Sequence, residues 1–294
     1  MKKNFKHKKF AFSLVEISMV ILIIGILIAG ISNGIDLYQD ARLSTARTLT
    51  KNSRVNRIPD LELWLETTLD ESFISSEKIH NLKISTWLDI NIQSGIKKSV
   101  LQTTDAQKPK YVSRAFDNSI PAIQFDGSTD NFPFNSTFMN GRNFTIFAVE
   151  QRRSADTHIY FIGGGSGVFH LGYSNSSLIR VGKYGVSDSD FFDYTINSFK
   201  ATEIIPRIHT FILSSSNGKK YWLNGGSTPD KSSNNLTTLS NFSGYIGVTE
   251  YGTATPHYFK GDIGEIIIFS RELIDKERID VEKYLSKKFN ISLS

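Results

Sequence analysis

Residues 2–35 read KKNFKHKKFAFSLVEISMVILIIGILIAGISNGI, and they determine how the rest of the chain is laid out. The first part, residues 2–9, holds five lysines and no acidic residue. The second part, residues 12–31, is almost wholly apolar, and Glu16 is its one charged residue. Twenty residues of α-helix span about 30 Å, the thickness of the hydrocarbon core of a bilayer. The pattern therefore predicts a membrane-spanning helix whose lysine-rich end stays on the cytoplasmic side.

Glu16 is the informative residue of this run, because an acid inside a spanning segment is costly unless it has a partner or a function. The lysine-rich leader, the small residue Ala11 and then the sequence FSLVE (12–16) resemble the type IV pilin family, including the pseudopilins of type II secretion. In that family a membrane peptidase removes the leader, the new N-terminus is methylated, and the glutamate pairs with the amine of a neighbouring subunit. The resemblance implies cleavage between Ala11 and Phe12, N-methylation of Phe12 and an assembly role for Glu16. The family usually has glycine where this chain has Ala11.

An ordinary signal peptide or signal anchor is the alternative interpretation of the same stretch. Small residues near position 30 would allow cleavage after Gly30 or Gly34. However, the apolar core of an ordinary signal peptide has about 7–15 residues and has no use for a carboxylate. This run is longer and carries Glu16, so the pilin-like interpretation is favoured.

The helical spacing of apolar residues continues beyond residue 31 to about residue 53, and Pro59 marks its end. Two pairs of small residues, spaced four apart, lie in the apolar part and permit close approach of helices in lipid. The predicted packing residues are Gly25, Ala29, Gly30 and Gly34. They indicate a helix that packs in a bundle of like helices.

The composition excludes two classes of function. The whole chain of 294 residues carries a net charge of +5, but removal of the five leader lysines leaves 29 basic and 29 acidic residues. The basic excess therefore acts in membrane topology, and no basic patch is left for a nucleic acid. The chain has no cysteine, which excludes disulfides, cysteine-ligated metals and thiol chemistry. The C-terminal disulfide loop of many pilins is therefore absent.

From Leu61 onward, short runs rich in β-branched and aromatic residues alternate with clusters of Gly, Asn, Ser and Asp. This alternation of strand-like runs and turn-forming clusters predicts an all-β sandwich, with Asn217-Gly218 and Asn224-Gly225 as hairpin turns. One late amphipathic helix is predicted over residues 275–290, with Asp275 as its N-cap. The predicted strands are LELWL (61–65), ISTWLDI (84–90), AIQFDG (122–127), NFTIFAVEQ (143–151), HIYFIGG (158–164), GVFHLG (167–172), SLIRVG (177–182), HTFILSS (209–215), KKYWLNGG (219–226), GYIGV (244–248) and HYFKGDIGEIIIFS (257–270).

Several motifs in order resemble the concanavalin A-like (laminin G-like) jelly-roll family over about residues 59–293. They are PDLELWL (59–65), WLDINIQSG (87–95), PAIQFDGSTD (121–130), FTIF (144–147) and GEIIIF (264–269) with the helix that follows. The resemblance implies an antiparallel β-sandwich. The predicted fold is mainly β, with a long N-terminal helix and a short C-terminal one. The predicted division is a leader (1–11), a transmembrane and assembly helix (12–53), a linker (54–58) and the jelly-roll domain (59–294).

No catalytic residue is predicted, and the chain is expected not to be an enzyme. Glycosidases need two carboxylates about 5–10 Å apart across a cleft. Glu150, Asp262 and Glu265 lie in predicted strands, but Asp262 and Glu265 are three residues apart and should point to opposite faces. The six histidines show no spacing typical of a metal site.

No cofactor is expected either, with calcium as the one ion to consider. The resemblance to laminin G-like domains implies a calcium site at the rim of the sandwich, and Asp126 and Asp130 are the candidate ligands. A turn that uses aspartate and glycine for their conformational freedom explains the same residues.

The sequence thus predicts a minor pilin-like subunit, made as an inner-membrane precursor with a cytoplasmic N-terminus. Its head would lie in the periplasm or on a surface filament, where it would serve adhesion or partner binding. The expected partners are prepilin peptidase, other pilin-like subunits, the membrane, and a carbohydrate or a surface protein; no nucleic acid is expected. The alternative is a lectin-like protein anchored singly in the inner membrane. A secreted glycosidase is disfavoured, because the paired acids are missing.

Overall fold

The computed structural model describes residues 13–165, 169–183, 191–250 and 254–294. Two α-helices flank the strands in this part of the chain, α1 (Leu14–Asn52) and α2 (Asp275–Phe289). The strands are β1 (Leu61–Glu66), β2 (Thr86–Trp87), β3 (Val100–Leu101), β4 (Lys110–Phe116), β5 (Ile120–Asp126), β6 (Phe132–Phe134), β7 (Phe144–Arg152), β8 (Ile159–Gly164), β9 (Phe169–Asn175), β10 (Leu178–Lys183), β11 (Phe191–Thr195), β12 (Arg207–Ser214), β13 (Gly218–Leu223), β14 (Lys231–Ser233), β15 (Gly244–Ile246), β16 (Val248–Thr249), β17 (His257–Tyr258) and β18 (Lys260–Phe269).

The strands form two antiparallel sheets and two short ribbons. The large sheet has the order β14-β13-β12-β7-β18-β5-β4, and the small sheet has the order β11-β10-β9-β8-β15-β6. Strand β18 is long enough to pair with two different strands along one of its edges. Its residues 260–263 pair with β5, and its residues 265–269 pair with β1. The ribbons are β16-β17 and β2-β3.

The two sheets face each other across a core rich in phenylalanine. Phe144 of the large sheet meets Phe169 of the small sheet with ring centroids 6.0 Å apart, and Phe211 packs against both. Full burial of each such side chain stabilises the fold by roughly 1.5–3 kcal/mol. Alternate residues of β7 point into this core and away from it, which is the period of two that the sequence shows.

Helix α2 covers part of the outer face of the large sheet. Its apolar side buries Leu285 and Phe289, and the ring of Phe289 lies 5.0 Å from that of Phe116. Asp275 is the first helical residue and not the N-cap, which is Ile274. Glu277 closes this end instead, since its carboxylate accepts a hydrogen bond from the N–H of Ile274 at 3.3 Å.

The chain divides into two compact units, one that ends at Arg42 and one from Leu43 to Ser294. The last turns of α1 belong to the second unit together with the sandwich. Ala46 is only 1% exposed there and packs with the apolar residues that lie under α2. The predicted linker contains a single 3-10 turn, Val55–Arg57. The predicted fold class, a long helix followed by an antiparallel sandwich and a short helix, is confirmed.

Candidate functional site

The N-terminal end of α1 gives Glu16 a partner within its own helix. The hydroxyl of Ser13 accepts a hydrogen bond from the N–H of Val15 at 3.2 Å, and Glu16 Oε2 accepts one from the N–H of Ser13 at 2.8 Å. This reciprocal arrangement is a capping box, and an acid at this end also interacts favourably with the helix dipole. The predicted cleavage and methylation site, Ala11 and Phe12, lies outside the described residues.

Among the described residues of its unit, nothing packs over the apolar part of α1. The exposed fractions of its large apolar side chains run from 49% at Ile17 to 85% at Leu14. A Cβ added at Gly25, Gly30 or Gly34 would meet nothing within 4 Å, and Ala29 is exposed as well. The mean hydropathy over its most apolar 18 residues is 2.8. Among the described residues this is the one helix with the length and composition of a membrane anchor or a signal sequence.

The two candidate calcium ligands lie in the loop after β5. The carboxylate of Asp126 accepts hydrogen bonds from the N–H groups of Ser128, Thr129 and Asp130 and from the hydroxyl of Ser128. Asp130 in turn accepts a hydrogen bond at 3.0 Å from the N–H of Asp126. The loop thus satisfies Asp126 with its own donors, which favours the turn interpretation. No group of three or more His, Cys, Asp or Glu side chains suited to a metal ion occurs in the described part of the chain.

Asp126 and Asp130 differ sharply in acidity. Burial alone would raise the pKa of Asp126, but the hydrogen bonds from the loop lower it to about 2. Burial and the neighbouring charge of Asp126 raise the pKa of Asp130 to about 7. The pair therefore carries one firm negative charge and one that titrates near neutrality.

A second set of polar residues lies buried between the two sheets. Glu150 Oε1 accepts hydrogen bonds from the hydroxyl of Tyr173 at 2.5 Å and from Nε2 of His209 at 3.0 Å. His209 also bonds the hydroxyl of Tyr221 through Nδ1 at 2.9 Å. Burial lowers the pKa of His209 in spite of Glu150, so its imidazole is neutral at pH 7. These four side chains include an acid and a base, but all of them are fully buried, and a substrate has no access to them.

A third polar cluster, the Lys288 cluster, connects α2 to the large sheet. Lys288 Nζ lies 2.8 Å from Glu66 Oε2 and 2.8 Å from Glu265 Oε2, and all three side chains are buried. Glu265 also accepts hydrogen bonds from Trp64 Nε1 at 2.7 Å and from the hydroxyl of Tyr284 at 2.8 Å. Buried charges of this kind persist only when they are paired and hydrogen-bonded. The cluster therefore has a structural role.

The placement of Asp262 and Glu265 corrects the sequence prediction. Three residues apart in a regular strand, they would face opposite sides of the sheet. The register shift of β18 between Ile263 and Glu265 puts both on the outer face. They nevertheless belong to separate hydrogen-bond networks. Asp262 accepts from Gln124 and Gln151, whereas Glu265 belongs to the Lys288 cluster.

A polar cleft of about 420 Å³ lies at the Asp262 end of this outer face. We call it the Arg153 cleft. Arg153 is anchored through Nε to the fully buried carboxylate of Asp262, at 2.6 Å, and its side chain stays 36% exposed. Other lining residues come from three loops and from β7: Asp117, Asn118, Gln151, Pro206 and Asn290. Sequence reasoning missed this cleft, because its parts come from segments far apart in the chain and form no motif.

The sequence matches no known family model, and no curated protein matches it. Solved structures do resemble it. A Trypanosoma rangeli sialidase in complex with sialic acid shares 12% identity over 81% of this chain, with a TM-score of 0.51. Botulinum neurotoxin type C, from a structure concerned with its interaction with two ganglioside molecules, shares 13% identity over 80% of this chain and 53% of its own, with a TM-score of 0.49.

Domain 4 of AbnA, an extracellular arabinanase from Geobacillus stearothermophilus in complex with arabinotriose, shares 17% identity over 59% of this chain and 81% of its own, with a TM-score of 0.43. This chain spans about a third of the sialidase, 34% of its length. At 12% identity, the likeness to the sialidase concerns the fold alone. It agrees with the antiparallel β-sandwich that the strand motifs predict.

Proposed function

We propose that this chain is a pilin-like subunit that is cut before Phe12, assembles through α1 and displays the sandwich for binding to a carbohydrate or a surface partner. The observation that carries the proposal is Glu16, one carboxylate at the start of a helix whose apolar surface is uncovered. In lipid such a surface is satisfied by acyl chains or by other helices. The small residues at 25, 29, 30 and 34 make other helices a good fit.

Glu16 has two states open to it in this proposal. In the unassembled chain it closes the capping box with Ser13. In the assembly it forms an ion pair with the N-terminal amine of a neighbouring subunit instead, since a full positive charge is a stronger partner than a backbone N–H at low dielectric. The capping box thus keeps the carboxylate satisfied until a second copy arrives.

The test uses the absence of cysteine from the chain. A single Gly30→Cys substitution, made in the native host, allows oxidative cross-linking of neighbouring helices without background. We expect cross-linked oligomers for Gly30→Cys alone and their loss by tenfold or more when Glu16→Gln is added, because glutamine keeps the size of the side chain and removes its charge. Ser13→Ala is the matched control, because it removes the hydroxyl that accepts from the N–H of Val15 and keeps the Glu16 carboxylate.

Oligomers that survive Glu16→Gln would contradict assembly through this residue and would favour the single anchor. Equal loss in Ser13→Ala and Glu16→Gln would show that capping of the helix start, and not the charge of Glu16, controls assembly. Membrane fractionation accompanies both variants, since neither should change the membrane span.

The head, in this proposal, binds its partner and does not hydrolyse it. The acid and base groups around Glu150 are sealed between the sheets, and Asp262 and Glu265 belong to separate networks. We expect the purified full chain to release no sugar from a panel of neutral and acidic glycans. Turnover that disappears in Glu150→Gln would contradict this part of the proposal.

A further inference from the structure

The Arg153 cleft has the chemical features of a small-molecule site. Its volume of about 420 Å³ falls in the range of ligand pockets, which runs from about 300 to 1,000 Å³. The lining mixes exposed amide side chains, at Asn118 and Asn290, with apolar surface from Pro206 and Ile204. Amides both donate and accept hydrogen bonds, as sugar hydroxyls do, and the apolar surface suits the C–H face of a sugar ring.

Arg153 gives the cleft its specificity. Its Nε is held by Asp262, and Asp262 is itself fixed by Gln124 Nε2 at 2.9 Å and by Gln151 Nε2 at 2.7 Å. The Nη1–Nη2 edge of the guanidinium makes no hydrogen bond to the described residues, and the side chain as a whole is 36% exposed. A planar fork held in this way matches the two oxygens of a carboxylate.

Asp117 limits the charge that the cleft can accept. It lies in the turn between β4 and β5 and lines the same cleft as Arg153. With Asp262 counted, one arginine is set against two aspartates in and beneath the cleft, which disfavours a polyanion and restricts the ligand to a single negative charge placed on Arg153.

We propose that the Arg153 cleft binds a sugar residue that carries one carboxylate, with the Nη1–Nη2 edge of Arg153 on the carboxylate and the amides on the hydroxyls. The site lies on the outer face of the large sheet, next to the C-terminal end of α2. This inference rests on the proposed binding function of the sandwich and names its ligand class.

The test is titration of the full chain, in detergent micelles, with three acidic methyl glycosides and one neutral one. The acidic probes are the methyl glycosides of glucuronate, galacturonate and N-acetylneuraminate, and the neutral probe is methyl glucoside. We expect at least one acidic probe to bind about tenfold or more tightly than the neutral one. Arg153→Gln should weaken that binding by about tenfold or more, since it removes a charge-assisted bidentate contact.

Arg142→Gln is the matched control, because Arg142 is also an exposed arginine and lies outside the cleft. Its affinity should equal that of the parent chain. Acidic glycosides that bind with unchanged affinity to Arg153→Gln would overturn the assignment of the site and leave the proposed display function standing. No binding of any acidic or neutral glycoside would overturn the inference and the carbohydrate part of the proposed function together. Pilin-type assembly is decided separately, by the cross-linking of Gly30→Cys.

Discussion

At the scale of single residues, Lys288 shows how charge is accommodated inside this sandwich. Glu66 accepts hydrogen bonds from the N–H and hydroxyl of Thr68, the N–H of Leu69 and the hydroxyl of Ser72, besides the ammonium of Lys288. Burial opposes ionisation, but Lys288 and these donors lower the pKa of Glu66 to about 2. Glu265 has fewer donors, and burial raises its pKa. Lys288 lies 2.8 Å from each carboxylate and is the cation that the two share.

Lys288→Met is expected to destabilise the head by about 3–5 kcal/mol, because it leaves two buried carboxylates without a cation. Lys287→Met is the control, since Lys287 is exposed on the same helix and its loss should change stability by less than about 0.5 kcal/mol. Urea unfolding, followed by the fluorescence of the three buried tryptophans, measures both. A loss below about 1 kcal/mol in Lys288→Met would contradict the described pairing.

The ion pair of Lys288 and Glu66 also sets the pH below which the head loses stability. The pKa of Glu66 is lower in the folded chain than the ordinary value of 4.5, so its contribution is complete above pH 4.5 and is lost as the pH falls through about 2. Without Lys288 the pKa of Glu66 rises. The acid transition of Lys288→Met should therefore occur at higher pH than that of the parent chain.

Asp130 makes the stability of the fold depend on pH in the opposite direction. Its pKa rises from 3.8 to about 7 on folding, so the folded chain holds a proton that the unfolded chain releases, and stability falls as the pH rises from 4 to 7. Asp130→Asn keeps an oxygen to accept from the N–H of Asp126 and removes the titration. We expect this variant to be more stable than the parent by at least about 1 kcal/mol at pH 8, with the gain shrinking toward pH 4.

Thermal melts at pH 8 and pH 4 measure this gain, and the same melts with and without calcium test the predicted ion site. A gain that does not depend on pH would contradict the raised pKa of Asp130. Calcium that raises the melting temperature of the parent chain, but not that of Asp130→Asn, would show that the two aspartates bind the ion. The hydrogen bonds that Asp126 receives from its own loop predict no such rise.

At the scale of elements, the end of α1 is built into the sandwich unit. Thr50 Oγ1 lies 3.1 Å from the hydroxyl of Tyr284 in α2, and Arg47 Nε donates to the carbonyl of Thr68 at 2.8 Å. Ala46 is the small residue that permits this close packing, because it is buried among apolar side chains of the outer face. The last turns of α1 should therefore unfold together with the head.

Ala46→Leu should destabilise the sandwich unit by about 1–3 kcal/mol, because the added carbons have no space in a packed core. Ser44→Leu adds an apolar group on the exposed side of the same turn and should have little effect. Urea unfolding gives the free energies, and hydrogen exchange reports whether residues 43–52 open with the strands. If the amides of residues 43–52 exchanged independently of the strands, these residues would not belong to the sandwich unit.

The strands show which parts of an element the sequence can predict. The alternation in NFTIFAVEQ and the isoleucine run of GEIIIF are strong patterns, and both become long strands that pair on two sides. β4 was missed, because KYVSRAF sits at a sheet edge, pairs with β5 alone and has polar residues at several positions. The bulge in β18 was also missed, because the sequence pattern assumes an uninterrupted period of two, and this reversed the predicted facing of Asp262 and Glu265.

At the scale of the whole molecule, the sequence predicts features formed by neighbouring residues but not contacts between residues far apart in the chain. The apolar run with Glu16, the order of strand motifs and the Asp126 loop are each contained within a few residues. Lys288 and Glu66 are 222 residues apart in the chain, and Arg153 and Asp262 are 109 apart. Such pairs depend on the order of strands in the sheet, which a single sequence does not specify. The Lys288 cluster and the Arg153 cleft therefore required the structure.

The distribution of charge over the whole chain fits the proposed processing. Five lysines precede residue 12 and no acid accompanies them, so the leader holds the entire basic excess. Removal of the leader would expose a new amine four residues before Glu16 and leave a chain with no net charge. In the proposal, the leader lysines set the membrane topology before cleavage, and Glu16 pairs with the new amine after it.

The most direct test of this account is the intact mass of the protein from its native host, together with the mass of its N-terminal peptide. The account predicts a chain that begins at Phe12 and carries one methyl group on its amine. A chain that begins at Met1 would make it a membrane anchor, and a chain that begins after Gly30 or Gly34 would make it an ordinary exported protein. Either of these results would contradict the proposed assembly through Glu16.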